Sequence, residues 1–198
     1  LHLQSGKWDL SQIPLDRLYG MGVVIDLSQH VDNYSLITLE MVQSLTPDGI
    51  RENDIVVLHT GWHRYSWCGS QADETRYFAQ HPGPTNELVD FFVEKNIKWV
   101  GTDCPAFEHP LNTAIRDMRP DLVAEFELQM GKKLEEQLPR ATMLYAHKTI
   151  AANNQVLVEC LGGEIEEVLN RRLILGAFPW RFKRGEASIA RVVAFVEE

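Results

Sequence analysis

The sequence predicts an α/β fold built as a single domain, on three observations. Residues 23–27, 55–59 and 97–101 are short runs of β-branched and other apolar residues, the pattern of buried strands. Between them lie segments whose apolar residues recur at helical spacing, and helix followed by strand, repeated, is the signature of an α/β architecture. Finally, 198 residues with 44% hydrophobic content suit one substantial core and leave little room for a second.

Residues 1–17 are mixed, with Gly6, Trp8 and Pro14, and read as an ordered loop leading to a short helix at 14–18. Gly20-Met21-Gly22 then turns the chain into the first strand, 23–27. These glycines precede the strand and no third glycine opens a helix, so they make no dinucleotide-binding fingerprint. Thr38 is placed to cap a helix over 39–45, which Pro47-Asp48-Gly49 ends. The second strand, 55–59, runs into a loop, Thr60-Gly61-Trp62-His63. Trp62, Tyr65 and Trp67 make this the most aromatic part of the chain; aromatics above a sheet wall an apolar pocket, pack a core or make a dimer contact. The stretch 69–84 is polar and turn-rich.

Thr85 is placed to cap a helix over 86–95, with Leu88, Val89, Phe91 and Phe92 at helical spacing. A strand at 97–101 leads into Thr102-Asp103-Cys104-Pro105, where an Asp at a strand's carboxyl end and a Pro-stiffened loop can line a cleft. Pro120-Asp121 opens a long amphipathic helix over 122–138, a lid or a partner contact, which Pro139 ends. The chain closes with a helical turn or two at 165–170, a strand at 172–178, a basic glycine-containing loop at 181–187 and a last strand at 189–196.

Composition excludes several functions. A net charge of −9 and a pI near 5.3 leave no concentrated Lys/Arg face, and Arg171-Arg172 and the cluster Arg181, Lys183, Arg184 are too short to supply one, so no nucleic-acid partner is expected. No apolar run is long enough to span a bilayer. Cys68, Cys104 and Cys160 are odd in number and lack any C-x-x-C, which argues for neither a disulfide framework nor a structural zinc site and suits a reducing, cytoplasmic setting. The first residue is Leu1 and not Met, so the chain is expected to lack its own beginning.

The chemistry gathers at His147 and Glu159. His147 follows the apolar run Met143-Leu144-Tyr145-Ala146 and Glu159 ends another, Val156-Leu157-Val158, so both are expected where a buried element meets a loop. An imidazole and a carboxylate suit a divalent cation such as zinc or manganese. A core histidine and a solvated strand-end glutamate would show the same spacing. His59, His63 and His81 tempt the eye toward a metal cluster but read better as pocket-wall or surface residues. Cys104 has no His tied to it by any motif and reads as a structural thiol.

Taken in order, His2 with the 8–31 segment, His59-Thr60-Gly61-Trp62, Gly101-Thr102-Asp103-Cys104-Pro105, the His147 and Glu159 pair and the closing Pro179-Trp180-Arg181-Phe182 resemble the metal-dependent cyclase and kynurenine formamidase-like hydrolases over nearly the whole chain. That family carries an H-x-G-T-H-x-D-x-P-x-H run whose first two His and Asp bind metal and whose last His is the acid/base. Leu1-His2-Leu3 looks like the end of this run, and the H-x-G-T-H-x-D portion is absent here. The resemblance implies a cyclase-like swivelling β/β/α barrel with a central mixed sheet flanked by helices. It also implies one or two divalent ions, Zn2+ or Mn2+, held in part by His147 and Glu159, with His2 moving the proton. Trp62, Tyr65 and Phe107 would contact a small amide or lactam of the arylformamide or isatin kind, and the protein would act as a homodimer or homotetramer. The competing expectation is a non-catalytic relative that binds a small acid in the same cleft.

Overall fold

The computed structural model describes residues 8–196. Its strands are β1 (Tyr19–Asp26), β2 (Leu36–Ile37), β3 (Ile55–His59), β4 (Gly83–Pro84), β5 (Trp99–Thr102), β6 (Val156–Val158), β7 (Arg172–Pro179) and β8 (Ala190–Phe195). Its α-helices are α1 (Leu15–Leu18), α2 (Leu39–Ser44), α3 (Glu74–Ala79), α4 (Asn86–Glu94), α5 (Ile115–Met118), α6 (Pro120–Met130), α7 (Leu134–Gln137) and α8 (Tyr145–Ala152). Six strands form one curled mixed sheet in the order β6-β5-β3-β1-β7-β8, and β2 pairs with β4 in a small second sheet. From β6 to β1 the neighbours are parallel; β7 and β8 add antiparallel to the β1 side.

The apolar runs exist because the central strands are covered on both faces. Val23, Ile25, Val56, Leu58 and Val100 point to one side, where Val42 of α2, Leu88, Val89 and Phe92 of α4, and Ala146 and Ile150 of α8 meet them. Val24, Ile55, Val57 and Trp99 point to the other, against Leu161, Ile165, Leu173 and Leu175. Both predicted caps form: Thr38 accepts a hydrogen bond from the Met41 amide and Thr85 from that of Leu88.

Four expectations need correction. The first strand starts at Tyr19 instead of Val23, because Tyr19–Val23 pair with β7, from Gly176 back to Arg172. Gly22 belongs inside the strand for lack of space, since a Cβ there would stand 2.5 Å from the Ile55 carbonyl oxygen. The polar 69–84 stretch contains α3, whose N-terminus Asp73 caps by accepting from the Arg76 amide. The long helix expected over 122–138 is two helices, α6 and α7. Gly131 closes α6 with a left-handed backbone (φ 63°), and the Glu127 carboxylate accepts from the Leu134 amide (3.1 Å) and from Lys133 Nζ (2.7 Å), fixing the break. Last, Met143 to Ala146 is not a buried element ending at His147. Leu144 takes a left-handed turn (φ 59°) and His147 lies in the first turn of α8.

Candidate metal centre

The four parallel strands all end at one edge of the sheet, and each ends on or beside a polar side chain. Asp26 closes β1, His59 closes β3, Asp103 follows β5 and Glu159 follows β6. Because the strands lie side by side in the order β6-β5-β3-β1, these residues form a ridge across the carboxyl edge, where open α/β sheets place their ligands. The loop after β5 divides the ridge into two clusters.

The first cluster joins Asp26, His59, His63 and Asp103. His59 Nδ1 donates to the Asp26 carboxylate at 3.0 Å, which leaves its Nε2 as the bare lone pair. That Nε2 is buried and has no hydrogen-bond partner among the described residues. Gly61, with φ 72°, starts the 3-10 turn Trp62–Tyr65, and this turn carries His63 back over the strand ends. His63 Nδ1 then reaches Asp103 Oδ2 at 3.1 Å, and its Nε2 faces Glu166 at 3.7 Å. Asp103 is wholly buried and also accepts from the Thr60 amide and hydroxyl, both at 2.7 Å. Burial alone would raise the Asp103 pKa, but the hydrogen bonds from His63 and Thr60 hold it below the usual carboxylate range. One ligand atom from each of His59, His63 and Asp103 can be chosen so that all lie within 4.8 Å of one another, a spacing that a metal ion could bridge.

The second cluster joins Glu108, His147 and Glu159. His147 Nε2 lies 3.3 Å from Glu159 Oε1 and its Nδ1 lies 3.5 Å from Glu108 Oε2. The backbone aims both carboxylates: the Phe107 amide donates to Glu159 Oε1 at 2.7 Å and the His147 amide to Glu108 Oε2 at 3.3 Å. Asn112 Nδ2 donates to the other Glu108 oxygen at 2.8 Å. Burial would lower the His147 pKa, but Glu108 and Glu159 outweigh it and lift it to about 9. Burial would likewise raise the Glu159 pKa, and His147 brings it below its ordinary value. The site therefore favours positive charge. An imidazole whose Nε2 faces the Glu159 carboxylate is a donor pair that fits zinc or manganese, and His147 Nδ1, on the Glu108 side, is a buried atom without a hydrogen-bond partner among the described residues.

The structure thus sets His147 and Glu159 side by side. His2 lies outside the described residues. Trp62 and Tyr65 are buried in a cluster with Tyr77 and Cys104, and Phe107 is buried in the main core, touching the second cluster through its amide. Cys104 is buried, and its thiol is pushed well above its usual pKa by burial and by Asp103, so it stays protonated. His81 is also buried, donates from Nδ1 to the Pro82 carbonyl at 2.9 Å and is held near pKa 4 by burial. Glu108 went unread in the sequence, since no strand end or motif marks it. Asp103 was legible as a strand-end carboxylate, but its meeting with His59 and His63 was not.

A curled mixed sheet with imidazoles and carboxylates along the carboxyl ends of its parallel strands defines an α/β protein of the cyclase-like fold. An isatin hydrolase bound to the product analogue thioisatinate shares this fold at a TM-score of 0.70, with 22% identity over 96% of this chain and 64% of its own. The isatin hydrolase A of Ralstonia solanacearum does so at 0.69, with 21% identity over 96% and 64%. A structure described as a potential metal-dependent hydrolase with cyclase activity superposes at 0.59, with 22% identity over 94% of this chain and 70% of its own. The chain therefore spans just under two thirds of the length of the isatin hydrolases it matches. No protein of curated function matches it. The family model described as "Putative cyclase" matches residues 1–109, more than half of the chain, and the chain belongs to that family. No helix among the described residues is long and apolar enough to cross a membrane.

Proposed function

We propose that this chain forms the strand-end metal cluster of a metal-dependent hydrolase that cleaves a C–N bond in a small amide or lactam, of the arylformamide or isatin kind. The observation that carries this reading is the His147 imidazole held between Glu108 and Glu159 at the carboxyl edge of the parallel strands. His147 and Glu159 are the ligands, and Glu108, braced by Asn112, fixes the imidazole plane. When bound, the cation, Zn2+ or Mn2+ and one ion or two, supplies Lewis acidity toward the scissile carbonyl and the attacking water. His2 takes the proton from that water and returns it to the leaving nitrogen. Trp62, Tyr65 and Phe107 are the substrate-binding residues of this reading, their rings forming an apolar wall for a flat acyl group.

A relative that only binds a small acid fits less well, because two carboxylates facing the same space repel an anion. The test measures zinc and manganese in the purified chain by elemental analysis and follows hydrolysis of isatin and of an N-formylarylamine by absorbance. His147→Ala and Glu159→Ala are expected to lower metal content and turnover together. Unchanged metal content in both variants would overturn the ligand assignment.

A further inference from the structure

We infer that His59, His63 and Asp103 form a second, separate cation site of the zinc class, oriented from behind by Asp26. Three features point there. Asp26 holds the His59 Nδ1 proton, the carboxylate–histidine arrangement that readies the opposite nitrogen of an imidazole for a metal. The His59 Nε2 so prepared is buried, in a residue only 2% exposed, and meets no hydrogen-bond partner among the described residues. One donor atom from each of His59, His63 and the wholly buried Asp103 can also be chosen so that all three lie within 4.8 Å of one another. Two nitrogens and one oxygen, with a fourth position left over, are the ligand set of an open zinc site.

In a tetrahedral zinc site the ligand atoms stand roughly 3.3–3.5 Å apart, following from bonds of about 2.0–2.1 Å, so the side chains must draw in by an ångström or so. The protons balance. When His63 Nδ1 gives up its hydrogen bond to Asp103 for the cation, the imidazole proton moves to Nε2 and stays there, on the side where the Glu166 carboxylate stands 3.7 Å away. Asp103 keeps the Thr60 amide and hydroxyl on Oδ1 and turns Oδ2 to the cation. Histidines 59 and 63 lie on β3 and the turn that follows it, whereas His147 lies on α8 and Glu159 follows β6, so the two sites share no residue and are separable by mutation.

The experiment titrates the purified chain with Zn2+ by calorimetry and with Co2+ by visible absorption, in wild type, His63→Ala, His59→Gln, Asp26→Asn and His147→Ala. The expected result is a Zn2+ site that persists in His147→Ala, weakens more than about tenfold in His63→Ala and His59→Gln, and weakens about tenfold or more in Asp26→Asn, which leaves all three ligands in place. Far-UV circular dichroism confirms that each variant is folded, and the Asp26 variant carries the test if an imidazole variant is not. Folded His63→Ala, His59→Gln and Asp26→Asn proteins that bind Zn2+ as wild type does would overturn the site, as would loss of all Zn2+ binding in His147→Ala alone. Loss confined to one cluster's variants tells failure of this inference from failure of the proposed function.

Discussion

The two polar clusters at the strand ends both combine imidazole with carboxylate, aspartates in one and glutamates in the other, and differ in how their charges are balanced. Around Asp103 the carboxylate is fully enclosed and accepts four hydrogen bonds, from Thr60 and His63, while the neighbouring His59 Nε2 has no hydrogen-bond partner among the described residues. Around His147 the carboxylates are in excess, and a single imidazole is drawn toward the charged state between them. One cluster is a hydrogen-bonded scaffold around a buried carboxylate, whereas the other sets one imidazole between two carboxylates and so carries excess negative charge. Removing the buried carboxylate from the first should cost folding stability in addition to the cation binding inferred above; removing a group from the second should cost cation binding more than stability.

The sharpest break is Asp103→Ala, which strands four donors in a buried place. A loss of roughly 3–5 kcal/mol is expected, read from urea denaturation as a lower midpoint at unchanged slope. A loss below about 1 kcal/mol would show that Asp103 is not the scaffold's anchor.

Next comes His109, a buried histidine with both nitrogens used. Its Nε2 donates to the Tyr34 carbonyl at 3.1 Å and its Nδ1 accepts from the Leu111 amide at 3.1 Å. Burial lowers its pKa from the ordinary 6.5 to about 3. A folded-state pKa below the unfolded value means that the stability held above pH 6.5 is lost as pH falls through the window from 6.5 to about 3, by about 1.4 kcal/mol per pH unit. Between pH 6.5 and 5 the loss should reach about 2 kcal/mol, and His109→Gln should flatten the slope by about one proton. An equal slope in the variant would mean that the acid-sensitive group lies elsewhere.

His147→Gln should cost less, about 1 kcal/mol of stability without metal, while lowering zinc affinity at least tenfold, or about 1.4 kcal/mol. If its stability cost exceeded that of Asp103→Ala, the roles assigned to the two clusters would be reversed. The smallest effect belongs to Glu166→Gln, since that carboxylate is 67% exposed and stands 3.7 Å from His63. A stability change within about 0.5 kcal/mol is expected in the same urea assay.

Much of the fold was legible in the sequence. The β3 run needed no outside information, because a strand covered on both faces must be apolar at every position. The caps at Thr38 and Thr85 were equally plain, since a side-chain oxygen satisfying a helix's first amides is a local affair. The start of β1 was not, because Tyr19 to Val23 extend only on meeting β7, about 150 residues later. The break between α6 and α7 was hidden for a similar reason: Gly131 and Glu127 form a local stop that an amphipathic count reads straight through.

The site divides the same way. His147 and Glu159 were found by residue type and resemblance, although His147 was expected at the end of a buried element and lies in a helix's first turn. Glu108 and the meeting of His59 and His63 with Asp103 were invisible because each depends on a partner distant in sequence, His147 for Glu108, 39 residues on, and Asp103 for His63, 40 residues on. By itself the sequence determined which segments are buried and which residue types can bind a cation, since burial and ligand chemistry belong to single residues and their near neighbours. Only the tertiary structure decided which of those residues meet. Strand order at the carboxyl edge is set by long-range pairing, and that order puts Asp26 beside His59 and Glu159 beside the loop of Asp103.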